Sequence, residues 1–401
     1  MKTELLAPAG NYQKMQTAFH FGADAVYLGG KQFSLRTFAD NFTGEEMQNA
    51  VAYAHALNKK VYVTCNIYAK NADFAQLKDY FAFLQEIGVD GAIVSDAGVL
   101  YLAKKTAPNL SLHISTQANT TNAYAVKFWQ EQGASRVVLA RELSLGEIAQ
   151  IHDFVPEMEL EAFVHGAMCI SYSGRCLLSD YLDGRSSNRG ACVQSCRWKY
   201  EVRALNATNG ASEWLPIEED EKGTYIFNSK DLNMLSRIED MQKAGVSSFK
   251  IEGRMKSGYY LGTVINAYRR AIDGGDKEIS EQELLAVQHR AYTKAYADGA
   301  NAQTVNYADS QSKGDYTYIA DVLASENGRV KVEMRNRFKV GDTLEVLSPD
   351  NNFRKRFVVS QATDSKGERV DDCKRVQEIY ELDCPYTLKQ GDYLRRRVEK
   401  E

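Results

Sequence analysis

Short apolar runs alternate with amphipathic helical segments along most of this chain, and few architectures accept that rhythm. ELLAPAG (4–10), DAVYLGG (24–30), VYVTCNIY (61–68), GAIVSD (91–96), LHISTQ (112–117), RVVLARE (136–142) and LEAFVH (160–165) each read as a buried strand closed by turn-forming or polar residues. Helical periodicity fills 11–21, 44–57, 73–87, 97–105, 122–132 and 144–152, and Thr43 with Glu46 has the spacing of a capping box. An eighth run, SFKIEG (248–253), comes only after a long irregular stretch and precedes a helix over 258–272. Strands in such an alternation lie parallel and are joined by right-handed crossovers. Eight units predict an α/β chain built on a (β/α)8 TIM-type barrel over 1–275, with an insertion at 166–225 after the seventh strand. An open doubly wound sheet is the alternative, but no glycine-rich dinucleotide fingerprint follows the first strand.

The texture changes after Gly275. Residues 276–314 read as a helical connector, and from 315 the runs YTYIADVLA, RVKVEMR, TLEVLS, FRKRFVVS and YLRRRV alternate at strand period. With turns at Asn327-Gly328 and Pro349-Asp350, they predict a small C-terminal antiparallel β-barrel over 315–401, a candidate RNA-binding module. The net charge of −4 supplies no global basic field, so contact with nucleic acid requires local patches. No apolar run has membrane-spanning length and MKTELLAPAG lacks a signal-peptide core, so the expectation is a soluble cytoplasmic protein with no membrane partner. Thiols stay reduced in that compartment, which favours ligands over disulfides for clustered cysteines.

Such a cluster is present. Cys169, Cys176, Cys192 and Cys196, four of the seven cysteines, fall within 28 residues just past the seventh strand. Zinc commonly takes thiolates from C-x2-4-C knuckles, and only Cys192-x3-Cys196 resembles one. An iron–sulfur cluster accepts ligands on wider spacing. Buried unligated thiols are the third reading, against which stands the polar, loop-like phrase SSNRGACVQSCRW. Cys65, Cys373 and Cys384 stand alone and read as packing residues.

Ligands of barrels bind at the C-terminal ends of the strands. The polar residues expected there are Arg36, Asn66, Asp96, His113, Ser115, Gln117, Arg141, Glu142, His165, Lys250, Glu252 and Arg254. Arg36, Arg141 and Arg254 converging on one mouth fit an anionic ligand, because a guanidinium forks onto a carboxylate or phosphate; interior ion pairs are the other use for Lys250, Glu252 and Arg254. His165 abuts the cysteines and is a candidate proton-transfer or ligand-supporting group. In the C-terminal module Arg335, Arg337, Lys339, Arg354, Lys355, Arg356 and Arg395 to Arg397 are candidate phosphate contacts, and Phe338, Phe353 and Tyr393 candidate base-stacking groups.

The run Glu161-x-Phe163-x2-Gly166-Ala167-Met168-Cys169-x4-Gly174-x-Cys176-x-Leu178-Ser179 resembles the signature of the collagenase-like peptidase family U. LLAPAG, FSLR, STQ at 115–117, NSKDL at 228–232 and FKIEGRMKS at 249–257 resemble it as well. Length, the SLR phrase and the added β-module are most similar to the branch that hydroxylates tRNA. That resemblance implies an enzyme making 5-hydroxyuridine at the wobble position of tRNA, with prephenate as co-substrate and a 4Fe-4S cluster as cofactor. It implies Cys169, Cys176 and Cys192 as cluster ligands, with Cys196 as the fourth. A collagenase-like peptidase and a zinc-stapled binding subunit without chemistry are the competing expectations, and a paralogous subunit or a homodimer are the open protein partners.

Overall fold

The computed structural model describes residues 3–35, 40–198, 203–205, 212–214, 219–220, 223–224, 229–299 and 313–398. Eight strands, Glu4–Pro8, Ala25–Gly29, Lys60–Cys65, Gly91–Val94, Leu112–Ile114, Arg136–Val138, Glu159–Ala167 and Val246–Ile251, pair in parallel in chain order. The eighth pairs with both the seventh and the first, with Phe249 opposite Ala162 on one side and Leu5 on the other. The sheet is thus closed, and the (β/α)8 reading of the alternation holds. Strands covered on both faces are apolar throughout rather than alternating, as in Ala25–Gly29, where every residue is buried.

Leu6, Ala25, Tyr27, Tyr62 and Ile93 pack together inside the barrel. An ionic chain completes the interior: Lys250 Nζ lies 2.6 Å from Glu161, Glu161 lies 3.1 Å from Arg136, and Arg136 lies 2.6 Å from Glu4. Lys250 is therefore the interior ion pair that its place on a strand allowed. Helix Gly44–Ala56 starts at the expected capping box, with both reciprocal bonds between Thr43 and Glu46 formed.

The seventh strand outruns its neighbours. Its last residues, His165 to Ala167, pair antiparallel with Asp231–Asn233, and that strand pairs in turn with Tyr292–Thr293. Gly166 makes this extension possible. Its φ is +109°, and a Cβ there would press into the Glu252 carbonyl oxygen. Gly166→Ala is expected to cost about 1–3 kcal/mol through backbone strain, read as a lowered denaturant midpoint with an unchanged m-value.

The chain divides into two compact units, one formed by Met1–Met15, Ala23–Lys256 and His289–Ser312, the other by Gln16–Gly22, Ser257–Gln288 and Lys313–Glu401. Helix Gly258–Ile272, read from sequence as the barrel's last, groups with the second unit. There its Tyr259 ring stacks on Tyr318 at 4.9 Å. A seven-stranded antiparallel sheet, a half-barrel, dominates this unit. Its strands Tyr316–Glu326 and Arg329–Met334 join through Asn327-Gly328, both at positive φ, as a two-residue hairpin loop requires. The strands Ala362–Thr363 and Ile379–Asp383 were not visible in the hydrophobic pattern. The core of the unit includes Val322, Val332, Phe338, Val346, Tyr380 and Leu394.

Candidate cysteine centre at the barrel mouth

The cysteine loop begins where the seventh strand ends, and polar bonds clamp it across the ends of three other strands. Past the sixth strand, the Glu142 carboxylate accepts from the Ser173 amide and hydroxyl, both at 2.6 Å. Past the fifth, the Gln117 carbonyl accepts from Arg175 Nε at 3.0 Å. Past the third, the Tyr68 carbonyl accepts from Arg189 at 2.7 Å, and that guanidinium forks onto Asp73 at 2.9 and 3.2 Å. The loop therefore stands at the C-terminal end of the barrel, where the fold positions chemistry.

Within the loop the chain ties itself together. The Cys176 carbonyl accepts from Ser187 Oγ at 2.5 Å and Asn188 Nδ2 at 3.1 Å. Ser179 Oγ donates to the Arg185 carbonyl at 2.7 Å and accepts from the Val193 amide at 3.2 Å. These bonds fasten the Cys176 segment to the Cys192 segment.

All four cysteines are free thiols. The Leu178 amide donates to Cys176 Sγ and the Gln194 amide to Cys192 Sγ, each at 3.4 Å, and the Ser171 amide bonds Cys169. Three of the four sulfurs thus receive a backbone N–H from two residues onward, an arrangement that stabilises thiolate. The sulfurs also feel one another. Burial pushes the Cys196 thiol up to about 11, and repulsion from Cys169, Cys192 and Cys176 adds to it while Arg197 opposes it. Cys169 reaches solvent but is largely surrounded by protein; desolvation raises its thiol, Cys176 and Cys192 raise it further, and Arg141 lowers it. Thiols gathered so that their anions repel, yet provided with anion-stabilising amides, suit a cationic cofactor. Among the described residues no three Cys, His, Asp or Glu side chains draw in tightly enough to hold a single metal ion.

The other expected residues divide. Arg36 lies outside the described residues. Arg141 stands beside the cysteines: its guanidinium lies 3.9 Å over the Phe163 ring and donates to the Ala167 carbonyl at 2.9 Å. Arg254 is 3% exposed and is spent on the barrel itself. It donates to Ser34 Oγ at 2.8 Å and the Leu35 carbonyl at 3.0 Å, and also bonds Asn41. Gly29 leaves the room this guanidinium occupies. From sequence Arg254 is a candidate ligand contact; its bonds to Ser34 and Asn41, which carry no sequence signal of their own, show that it braces the mouth. Asn188, Ser179 and Ser187 were also missed; they look like ordinary loop polar residues until their partners are known.

His165 is buried, its ring 5.5 Å from Tyr292. Burial lowers it to about 3, with Asp231 opposing the shift and His289 and Lys256 adding to it. His113, packed on Tyr62 at 4.7 Å, is lowered by burial in the same way. Because the folded value lies below the ordinary 6.5, the unfolded chain binds more protons in acid. The contribution of His165 is full above 6.5 and is lost as pH falls toward 3. Denaturation at about pH 7.5 and about pH 5.5 is expected to differ by about 1.4 kcal/mol less in His165→Gln than in wild type.

In the second unit most candidate phosphate contacts are already paired. Arg335 lies 2.6 Å from Asp321, Arg337 2.6 Å from Asp372 and Arg356 2.7 Å from Glu345, and Arg396 bonds Asp342. Arg354 lies 3.6 Å from Glu283, and Lys355 bonds the Asn352 side chain at 3.1 Å. Arg395 is wholly buried, as is Phe338, and Tyr393 is 5% exposed, so these three are core residues rather than stacking or phosphate-binding groups. Phe353 packs under Arg270 at 3.9 Å. Arg397 is exposed and, with Tyr316, Arg356 and Arg396, lines a cavity of about 880 Å³.

A family model described as Peptidase family U32 matches residues 10–307, and one described as Peptidase family U32 C-terminal domain matches 314–395. The chain is 38% identical to a Bacillus subtilis protein named tRNA hydroxylation protein P1, over 98% of this chain and 95% of that one. It is 38% identical to Escherichia coli tRNA hydroxylation protein P, over 92% of this chain and 91% of that one. A Porphyromonas gingivalis protein named Collagenase is 34% identical over 70% of this chain and 68% of its own length. Among the described residues no helix is long and apolar enough to cross a membrane. With barrel and C-terminal module both matched in order and the cysteine loop inside the first match, this chain belongs to peptidase family U32.

Proposed function

We propose that this protein hydroxylates tRNA, converting the wobble uridine to 5-hydroxyuridine with prephenate as co-substrate, and that Cys169, Cys176, Cys192 and Cys196 hold a 4Fe-4S cluster. The observation that carries the reading is the end-to-end likeness to proteins named for tRNA hydroxylation, in a chain whose mouth gathers four free thiols. The donor set suits the cofactor: the four thiols are free, they act on one another electrostatically, and three receive amide N–H groups. When bound, such a cluster supplies a redox-active or substrate-orienting iron centre.

The chain's own residues do the rest. Arg141 offers a cation beside Cys169, held flat by Phe163, and suits one carboxylate of a dicarboxylate such as prephenate. The clamps at Glu142, Gln117 and Tyr68 fix the cysteine loop to the barrel, and Arg254 braces the Ser34–Leu35 loop beside it, so the substrate meets a preformed mouth. The collagenase reading is less favoured. The relatives alike over more than nine-tenths of this chain are named for tRNA hydroxylation, whereas the one named Collagenase matches 70% of it.

Deleting the gene in a host without a paralogue, followed by mass spectrometry of tRNA nucleosides, tests the proposal. The expected result is loss of 5-hydroxyuridine derivatives, restored by the plasmid-borne gene. Unchanged levels overturn it.

A further inference from the structure

We propose that the outer face of the cysteine loop is the platform on which unpaired RNA bases stack when the substrate docks. This rests on the tRNA reading and deepens it by naming the receiving surface. Five large side chains stand out from the loop: Tyr172 is 52% exposed, Leu177 71%, Tyr181 87%, Leu182 41% and Trp198 42%. Three of them adjoin the thiols in sequence, and Tyr181 follows Cys176 by five residues. Leu177 adjoins Cys176, Trp198 follows Cys196 by two residues and Tyr172 follows Cys169 by three. Whatever lies on them lies beside the thiols.

Charge identifies the occupant. Residues 169–198 contain four arginines (175, 185, 189 and 197) and two aspartates (180 and 183), a local excess of +2 in a chain of net charge −4. Arg189 is held by Asp73, whereas Arg175 is exposed with its Nε anchored on the Gln117 carbonyl. Aromatic faces set among arginines match the two surfaces of a single-stranded nucleic acid, bases and phosphates. The chemistry also calls for such a platform. A uridine modified at its ring must leave the stack, and its neighbours then lose a stacking partner that Tyr181 or Trp198 can replace.

The test is fluorescence anisotropy with the full chain and two labelled RNAs, an anticodon stem-loop and a blunt duplex of equal length. Tyr181→Ala is expected to weaken stem-loop binding by about tenfold, and Trp198→Ala to do likewise. Tyr181→Phe keeps the ring and keeps the affinity. Duplex binding and iron content do not change. If wild type prefers the stem-loop and both alanine variants bind it equally well, the platform lies elsewhere and the tRNA reading survives. If wild type binds neither RNA, the tRNA reading falls and takes this proposal with it. If Tyr181→Ala changes the oligomeric state by light scattering but leaves RNA affinity intact, the face is a protein interface and the proposal is overturned.

Discussion

Cys176→Ala protein is expected to lose both its iron and its tRNA hydroxylation. Cys176 is the most enclosed of the four thiols: its side chain is buried, its sulfur accepts the Leu178 amide, and its carbonyl is gripped by Ser187 and Asn188. As a ligand of the proposed cluster, a thiol held from both ends could not be replaced by a neighbouring side chain swinging in. Changes in outer-shell partners typically cost about 10–100-fold in metal affinity or activity, so loss of a direct thiolate is expected to exceed about a hundredfold. Cys373→Ala is the control, because that thiol is buried in the second unit and packs among its apolar core residues. The measurement is iron and acid-labile sulfide on anaerobically purified protein, paired with 5-hydroxyuridine in tRNA from complemented cells. A Cys176→Ala protein that keeps full iron, sulfide and product removes Cys176 from the ligand set. One that keeps iron but loses product reassigns it from ligand to catalysis.

The barrel was legible because its information is local. Each strand is a short run buried on both faces, each helix carries one apolar stripe, and the Thr43–Glu46 box marks a boundary with two side chains. The cysteine loop was legible for the same reason, since its four thiols lie close together in sequence. What sequence could not show is which charges are already spent. Arg254 and Arg141 look alike on paper, both basic and both just past a strand. One is consumed by Ser34, Leu35 and Asn41 from a loop more than two hundred residues away in the chain, while the other lies across Phe163 beside Cys169. The clamps Glu142–Ser173 and Arg189–Asp73 are likewise long-range pairs between polar residues that carry no pattern of their own. The short strands Ala362–Thr363 and Ile379–Asp383 escaped for a different reason. The first has two residues, too few for a period, and the second reads IYELD, where the buried positions Tyr380 and Leu382 are interrupted by acids.

Arg395→Met is expected to cost the protein about 3–5 kcal/mol, although the residue sits in the basic run YLRRR that invites an RNA-binding reading. Its guanidinium has no exposed surface. It donates to Glu283 at 2.7 and 2.8 Å, to Glu345 at 2.7 and 3.0 Å, and lies 4.4 Å over the Tyr316 ring. Removing it leaves two buried carboxylates facing each other, with Arg356 on Glu345 and Arg354 on Glu283 as their remaining cations, and breaking a buried ion network in this way is strongly destabilising. Arg395→Lys restores a charge but not the fork that serves both acids, so it recovers only part of the loss. Arg397→Ala, two residues on and exposed, is expected to stay within about 0.5 kcal/mol. Denaturant titration of the full chain compares the three. Stem-loop RNA binding of folded Arg395→Met is expected to match wild type, since a residue without exposed surface cannot meet a phosphate. The opposite pattern, a stability change under about 1 kcal/mol together with lost RNA affinity, returns Arg395 to the binding surface.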